Sequence, residues 1–163
     1  MLKALKKLFF DPNLQRKKAF LRSLTLFDGL RDRELGYLIQ SLHARTYHAG
    51  EPLFMEGDIG RALFILETGR VELTRQDERG AQAAVYTVAP GEFFGEMALL
   101  EQLPRTATAT AAERSHVYLL YRSKLEGLLN HHPRIGGTIM THLAQILSAR
   151  LRRASARPAA PAA

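Results

Sequence analysis

The hydrophobic pattern of this chain changes period twice. Leu35, Leu38, Ile39 and Leu42 recur at helical spacing and predict a helix over Asp32 to Leu42. From Ala44 the period falls to two. Short alternating runs predict strands at 45–48, 53–56, 62–67, 71–76, 83–88, 108–112 and 116–121, separated by turns at Gly50, Gly57, Gly69, Asp77 to Gly80 and Gly91. Helical spacing then returns. Ser123 to about Asn130 predicts one helix, with Ser123 as N-cap and Glu126 closing a capping box. Pro133 separates it from a last helix over Arg134 to Ser155, whose apolar stripe is Ile135, Ile139, Leu143, Ile146, Leu147 and Leu151. Gly136-Gly137 near its start marks either a hinge or close packing against the strands. At the other end, Leu2, Leu5, Leu8 and Phe9 make a short amphipathic segment, and Asp11-Pro12 opens a basic helix over about Asn13 to Ser23. Helices flanking many short strands give an α+β class, with the strands in a compact antiparallel barrel or sandwich.

Composition narrows this little, except through the placement of charge. The 163 residues suffice for one domain with a core, and the absence of cysteine excludes a disulfide scaffold and a thiolate metal site. No apolar run approaches the roughly 20 residues that span a bilayer, and the basic start lacks the features of a signal peptide. A cytoplasmic location is the expectation. The formal charge of +7 belongs to the ends: residues 1–22 carry seven Lys/Arg against one Asp, and residues 150–163 carry four Arg and no acid. The stretch between them carries 12 basic and 15 acidic residues. The basic N-terminal helices either pack on the domain or a protein partner, or touch an anionic membrane surface through residues 1–22.

The densest chemistry lies in Gly91 to Ala109, GEFFGEMALLEQLPRTATA. Gly95 allows a tight turn and a close backbone approach to a ligand. The residues after it start a short helix whose first N–H groups lack internal partners and suit phosphate. Arg105 supplies a charged planar fork, and Thr106 a hydroxyl. Glu96 would repel an anion unless it accepted from a hydroxyl of the same ligand. A cation for phosphate and an acceptor for a hydroxyl describe a nucleotide with a free ribose hydroxyl.

Phe94-Gly95-Glu96-Met97-Ala98-Leu99-Leu100, followed by Pro104-Arg105-Thr106-Ala107-Thr108, resembles the phosphate-binding cassette of the cyclic nucleotide-binding domain family. The resemblance runs from about Leu24, where Leu26-Phe27-Asp28-Gly29-Leu30 matches a common opening phrase, to Arg153. It implies a β-roll, or jelly-roll barrel of cupin-like form, flanked by N-terminal helices and a C-terminal helix pair. It divides the chain into a basic extension at 1–23, the domain at 24–155 and an Ala/Pro-rich disordered tail at 156–163. It implies that Glu96 accepts from the ribose 2′-hydroxyl and that Arg105 binds the cyclic phosphate. Phe94, Gly95, Met97, Ala98, Thr106 and Ala107 would complete the cradle. The last helix would lid the ligand or pair in a homodimer through 134–153. In the catabolite activator-like members a Thr–Ser pair on that helix contacts adenine, and Arg150-Leu151 stands there here. Arg150 becomes the candidate lid over the base, and the ligand stays open between cyclic AMP, which is favoured, and cyclic GMP.

Other chemistries find no support in the sequence. The histidines show no metal spacing, and there is no nucleophile motif or P-loop, so the expectation is a binding module without catalytic residues, metal or prosthetic group. About a dozen residues follow Arg150, too few for the helix-turn-helix of the bacterial regulators, so a stand-alone sensor without sequence-specific DNA binding is expected. Its output would pass to an unidentified protein partner through the last helix. The alternative is an interaction protein whose roll is only a scaffold, with a decayed nucleotide site and basic N-terminal helices that bind membrane or an acidic partner.

Overall fold

In the computed structural model, residues 11–77 and 80–155 are described. The expected amphipathic segment at 1–10 and the Ala/Pro tail at 156–163 lie outside them. Helix α1 spans Pro12–Arg22, opened by Asp11, whose carboxylate accepts from Asn13 N–H at 2.9 Å. A 3-10 turn at Thr25–Phe27 leads to α2, Asp32–Ser41. At the start of α2 the Glu34 carboxylate reaches back to Arg31 N–H at 2.7 Å. Eight strands follow: β1 Leu42–Tyr47, β2 Pro52–Phe54, β3 Ala62–Thr68, β4 Val71–Gln76, β5 Gln82–Val88, β6 Phe93–Phe94, β7 Thr108–Ala111 and β8 Ser115–Tyr121. A short α3, Met97–Leu100, interrupts them after β6, and α4 (Arg122–His131) and α5 (Pro133–Ser155) end the fold.

The strands form two four-stranded antiparallel sheets, ordered β1-β8-β3-β6 and β2-β7-β4-β5. Period-two alternation explains how they stack. Phe64 and Leu66 of β3, Val117 and Leu119 of β8, and Val71 and Ala109 from the second sheet fill the core between the sheets. The alternate residues Leu63, Ile65, Tyr118 and Leu120 face the other way, under the helices, where they meet Leu21, Leu35, Leu38, Leu125, Ile139 and Leu143. The first sheet is therefore buried on both faces, and β3 is apolar without interruption from Ala62 to Leu66. The α+β class and the antiparallel roll stand as expected.

Local corrections concern boundaries. Leu42, expected to end α2, begins β1 instead and pairs with Leu120, because the ladder to β8 takes up its backbone groups. Phe93–Phe94 is a strand, paired with Ile65 and Phe64, that alternation over two residues does not reveal. Ser123 is not an N-cap. The chain passes from β8 directly into α4, so Ser123 is already helical, and Glu126 accepts instead from Arg122 Nε at 3.0 Å. Helix α5 runs unbroken through Gly136-Gly137. A Cβ on Gly136 would lie 2.8 Å from Leu129 Cα, so this glycine serves close packing, against α4 rather than the strands.

Candidate functional site

The cassette is built by threading one loop through the open end of the roll. Phe93 turns toward the helices and Phe94 into the inter-sheet core, which anchors the chain on both faces of the first sheet. Gly95 then takes φ +72°, and a Cβ there would also stand 2.5 Å from Arg105 Nη1. Glycine is thus required for conformation and for space. Glu96 caps α3, its carbonyl accepting from Leu99 N–H at 3.0 Å. The return passes Pro104, which bridges to Ile59. Arg105 is fixed through its backbone: its N–H donates to Asp58 O at 2.8 Å and its carbonyl accepts from Gly57 N–H at 2.9 Å.

The Arg105 side chain lies inside the roll with 8% of its surface exposed. Nη1 donates to Gly95 O at 3.0 Å and Nη2 to Ala62 O at 2.9 Å. The guanidinium stacks 4.1 Å from the Phe54 ring centroid. Its Nε–H is buried without a hydrogen-bond partner. Burial depresses the guanidinium below its ordinary value, and Asp58 and Glu96 oppose this only as charges acting through space. A buried cation supported by carbonyl dipoles, with an unused N–H, is built to receive an anion.

Glu96 and the last helix define the other end. The Glu96 side chain is 15% exposed, and its Oε1 accepts from Arg150 Nη1 at 3.1 Å. Arg150 Nη2 donates to Phe93 O at 3.3 Å, and the guanidinium lies 4.7 Å from the Phe93 ring centroid. These contacts hold the C-terminal half of α5 over the cassette. Its N-terminal half is rooted in the core by Ile135, Ile139 and Leu143, and His142 Nδ1 lies 3.3 Å from Leu26 O. Between cassette and helix lies an open cleft of about 810 Å³.

Of the residues singled out in the sequence, Phe94, Gly95, Glu96, Met97, Arg105, Thr106, Ala107 and Arg150 all line this cleft, and Ala98 lies within α3. Thr106 is exposed, and its carbonyl accepts from Arg75 Nε at 2.9 Å. Arg150 does enter the cleft from α5, but its guanidinium is joined to Glu96. Sequence reading missed Phe54, Leu73, Tyr86, Glu92, Phe93, Ile146, Ala149 and Arg153, which also line it. Alternation places Phe54 and Leu73 on inward faces. Tyr86 and Glu92 carry no local signal, because their bond (Tyr86 OH to Glu92 Oε1, 2.7 Å) depends on how β5 approaches the turn before β6.

A family model described as the cyclic nucleotide-binding domain matches residues 44–132, more than half of the chain. The chain belongs to the cyclic nucleotide-binding domain family. It is 34% identical over 134 residues to the cyclic AMP receptor protein of Thermus thermophilus, covering 82% of this chain and 60% of that protein. It is 31% identical over 141 residues to a cAMP-dependent protein kinase regulatory subunit of Yarrowia lipolytica, covering 85% of this chain and 35% of that one. A co-crystal structure of the regulatory domain of Toxoplasma gondii PKA with cAMP is similar at TM-score 0.65 and 30% identity, over 72% of this chain and 45% of that chain. The chain thus spans less than two thirds of the length of these relatives. Among the described residues, no helix is long and apolar enough to cross a membrane.

Proposed function

We propose that this protein is a non-enzymatic, cytoplasmic regulator that binds a cyclic nucleotide, cyclic AMP in preference to cyclic GMP, and transmits binding through α5 to a protein partner. Arg105 holds the cyclic phosphate with Nε–H and the hydrogens its terminal nitrogens do not spend on Gly95 O and Ala62 O. N–H groups at the start of α3 and the Thr106 hydroxyl complete the cradle, with Phe94, Gly95, Met97, Ala98 and Ala107 shaping it. Glu96 accepts from the ribose 2′-hydroxyl. The base occupies the space beneath α5. The observation that carries this reading is the buried Arg105 with its unpartnered Nε–H.

The signalling step rests on the Glu96–Arg150 pair. A carboxylate offers about four lone-pair sites, so Glu96 serves a ribose hydroxyl and Arg150 together. Ligand and lid then share one residue, and a nucleotide that prefers the closed arrangement shifts α5 toward it. The basic α1 gives the scaffold alternative little support, since Lys18 and Arg22 both bond to Asp32 and Arg16 lies 3.8 Å from Glu67. A homodimer through α5 would use its last two turns, where Leu151 is 68% exposed, because Ile135, Ile139 and Leu143 are consumed within the protomer.

The test is calorimetric titration of the protein with cyclic AMP and cyclic GMP at one salt concentration. Micromolar or tighter binding of cyclic AMP is expected. Absence of heat and of thermal stabilisation with both would overturn the assignment.

A further inference from the structure

Helix α5 ends in a charged segment that the nucleotide reading leaves unused beyond Arg150. No acidic residue follows Glu126 in the sequence, while Arg150, Arg152 and Arg153 crowd the last two turns of α5. Arginines at a helix C-terminus complement its dipole. These also stand directly before a hydroxyl. Ser155 closes α5, and it is the one serine or threonine of the chain with arginines both two and three residues before it.

Little holds this last turn to the rest of the fold. Residues 151–155 are all exposed, and Leu151, the largest apolar side chain among them, is 68% exposed. Arg152 Nη1 donates to Ser148 Oγ at 2.8 Å, a bond within the helix itself. The side chains of Arg153 and Ser155 make no hydrogen bond or ion pair among the described residues. The final carbonyls of a helix have no partner inside it. Unwinding the turn therefore exposes little new apolar surface and breaks few bonds, so the segment opens readily into an extended form. An extended chain with two guanidinia ahead of a serine fits a peptide groove lined with carboxylates, where charge-assisted pairs to the arginines set the serine in register.

We infer that Ser155 is a phosphorylation site for a serine kinase that reads Arg152 and Arg153, and that the added phosphate loosens the tip of α5. In the transfer Ser155 Oγ bonds to the γ-phosphorus of ATP as the bond to ADP breaks, and the hydroxyl proton passes to the catalytic carboxylate of the kinase. The product carries nearly two negative charges at the C-terminus of α5, beside carbonyls whose dipole repels them. Arg152, one turn back, offsets part of this repulsion only by giving up its bond to Ser148. Arg153 and Ala154 of the same turn line the cleft, so the loosened turn is the one that overhangs it. The inference does not depend on which ligand fills that cleft.

The experiment treats the full chain with a purified arginine-directed serine kinase and magnesium ATP, and locates the phosphate by peptide mass spectrometry. A synthetic peptide of residues 149–157 is treated beside it. Phosphate at Ser155 is expected in both. It should be absent from Ser155→Ala, and at least about tenfold slower to appear in Arg152→Ala, which removes charge-assisted bonds to the kinase. Hydrogen exchange of the phosphorylated chain, without nucleotide, should be about threefold faster or more over residues 151–155 and unchanged over 135–143. A peptide that stays unmodified would overturn recognition through the arginines. A modified peptide beside an unmodified chain would show that the folded helix withholds Ser155, and would overturn the site. Phosphate on another hydroxyl instead, or an unchanged rate in Arg152→Ala, would overturn it as well. Phosphorylation that leaves exchange at the tip unaltered would overturn the loosening.

Discussion

Replacing Arg105 with alanine separates a phosphate site from a structural arginine. In the free protein the guanidinium spends two of its five N–H groups on Gly95 O and Ala62 O, and its Nε–H has no partner. Three donors therefore remain for a ligand. A cyclic phosphate presents two exocyclic oxygens sharing one negative charge, which suits a two-bonded fork. Each charge-assisted hydrogen bond is worth about 1.5–3 kcal/mol. Losing two weakens binding by about 3–6 kcal/mol, a factor of at least about 100. Stability of the free protein follows a different balance. The variant loses the stacking on Phe54 and strands two carbonyls, but it also removes a cation that burial disfavours. Free stability should therefore change far less than affinity. Calorimetry gives the affinity, and melting with and without nucleotide gives an independent check. A wild type at a hundred times its Kd gains about 2.7 kcal/mol from ligand, a shift of several degrees for a domain of this size. The variant at the same concentration gains about 0.4 kcal/mol, so its shift should nearly vanish. Arg105→Lys, a point charge without the fork, should fall between the two. An Arg105→Ala protein that binds within about threefold of wild type would refute the phosphate role.

Other residues give separable outcomes. Glu96→Ala should weaken cyclic AMP about tenfold and leave its 2′-deoxy analogue nearly unchanged, read by competition against one fluorescent nucleotide; equal losses would remove the ribose role. Arg150→Ala should leave nucleotide-dependent melting largely in place but abolish ligand-dependent protection of residues 146–155 from hydrogen exchange, whereas retained protection would show that the helix senses ligand by another route. Gly136→Ala should destabilise by about 1–3 kcal/mol in urea melts through the clash with Leu129, while Gly137→Ala, whose new methyl would enter open space, should stabilise by up to about 1 kcal/mol. Hydrogen bonds from Lys18, then Arg22, hold Asp32 below its ordinary value, so its small, largely exposed contribution is complete above about pH 4 and is lost as the pH falls through the lowered native value. The acid limb of stability should accordingly be flatter in Asp32→Asn.

The sequence carried the strands and the cassette well, and the relation between them poorly. β3 and β8 are legible because each presents apolar residues to two cores, so the roll and the helical layer reinforce one pattern. Glu96 and Arg105 are legible because their chemistry and spacing sit within one short loop. The supports of Arg105 are not: Phe54 and Ala62 precede it by dozens of residues, and only the fold of the first sheet over the second brings them to it. Ser123 shows the opposite failure. A locally sound capping pattern lost to the direct run of β8 into α4, because continuing the chain from sheet to helix without a loop puts Tyr121, the last residue of β8, at the N-cap position, where it makes no side-chain cap.

The last helix owes its position to two unlike attachments. Packing of Ile135, Ile139 and Leu143 holds its first half without regard to ligand, since this contact lies in the helical core and away from the cleft. Its second half rests on the partly buried Ile146 and Leu147 and on one exposed arginine reaching a mostly buried carboxylate. A pair of this kind contributes far less than a buried apolar side chain. The helix therefore combines a fully buried root with a tip whose attachment includes Glu96 itself. Under the proposed function, a ribose hydroxyl donating to that carboxylate would steady it in the geometry Arg150 requires, and a base in the space under Ile146 and Ala149 would add apolar contact to the same half. Under the proposed function, ligand energy would fall on the half of α5 that carries the Glu96 contact, which is the arrangement a regulator needs if binding deep in the roll is to be read at its surface.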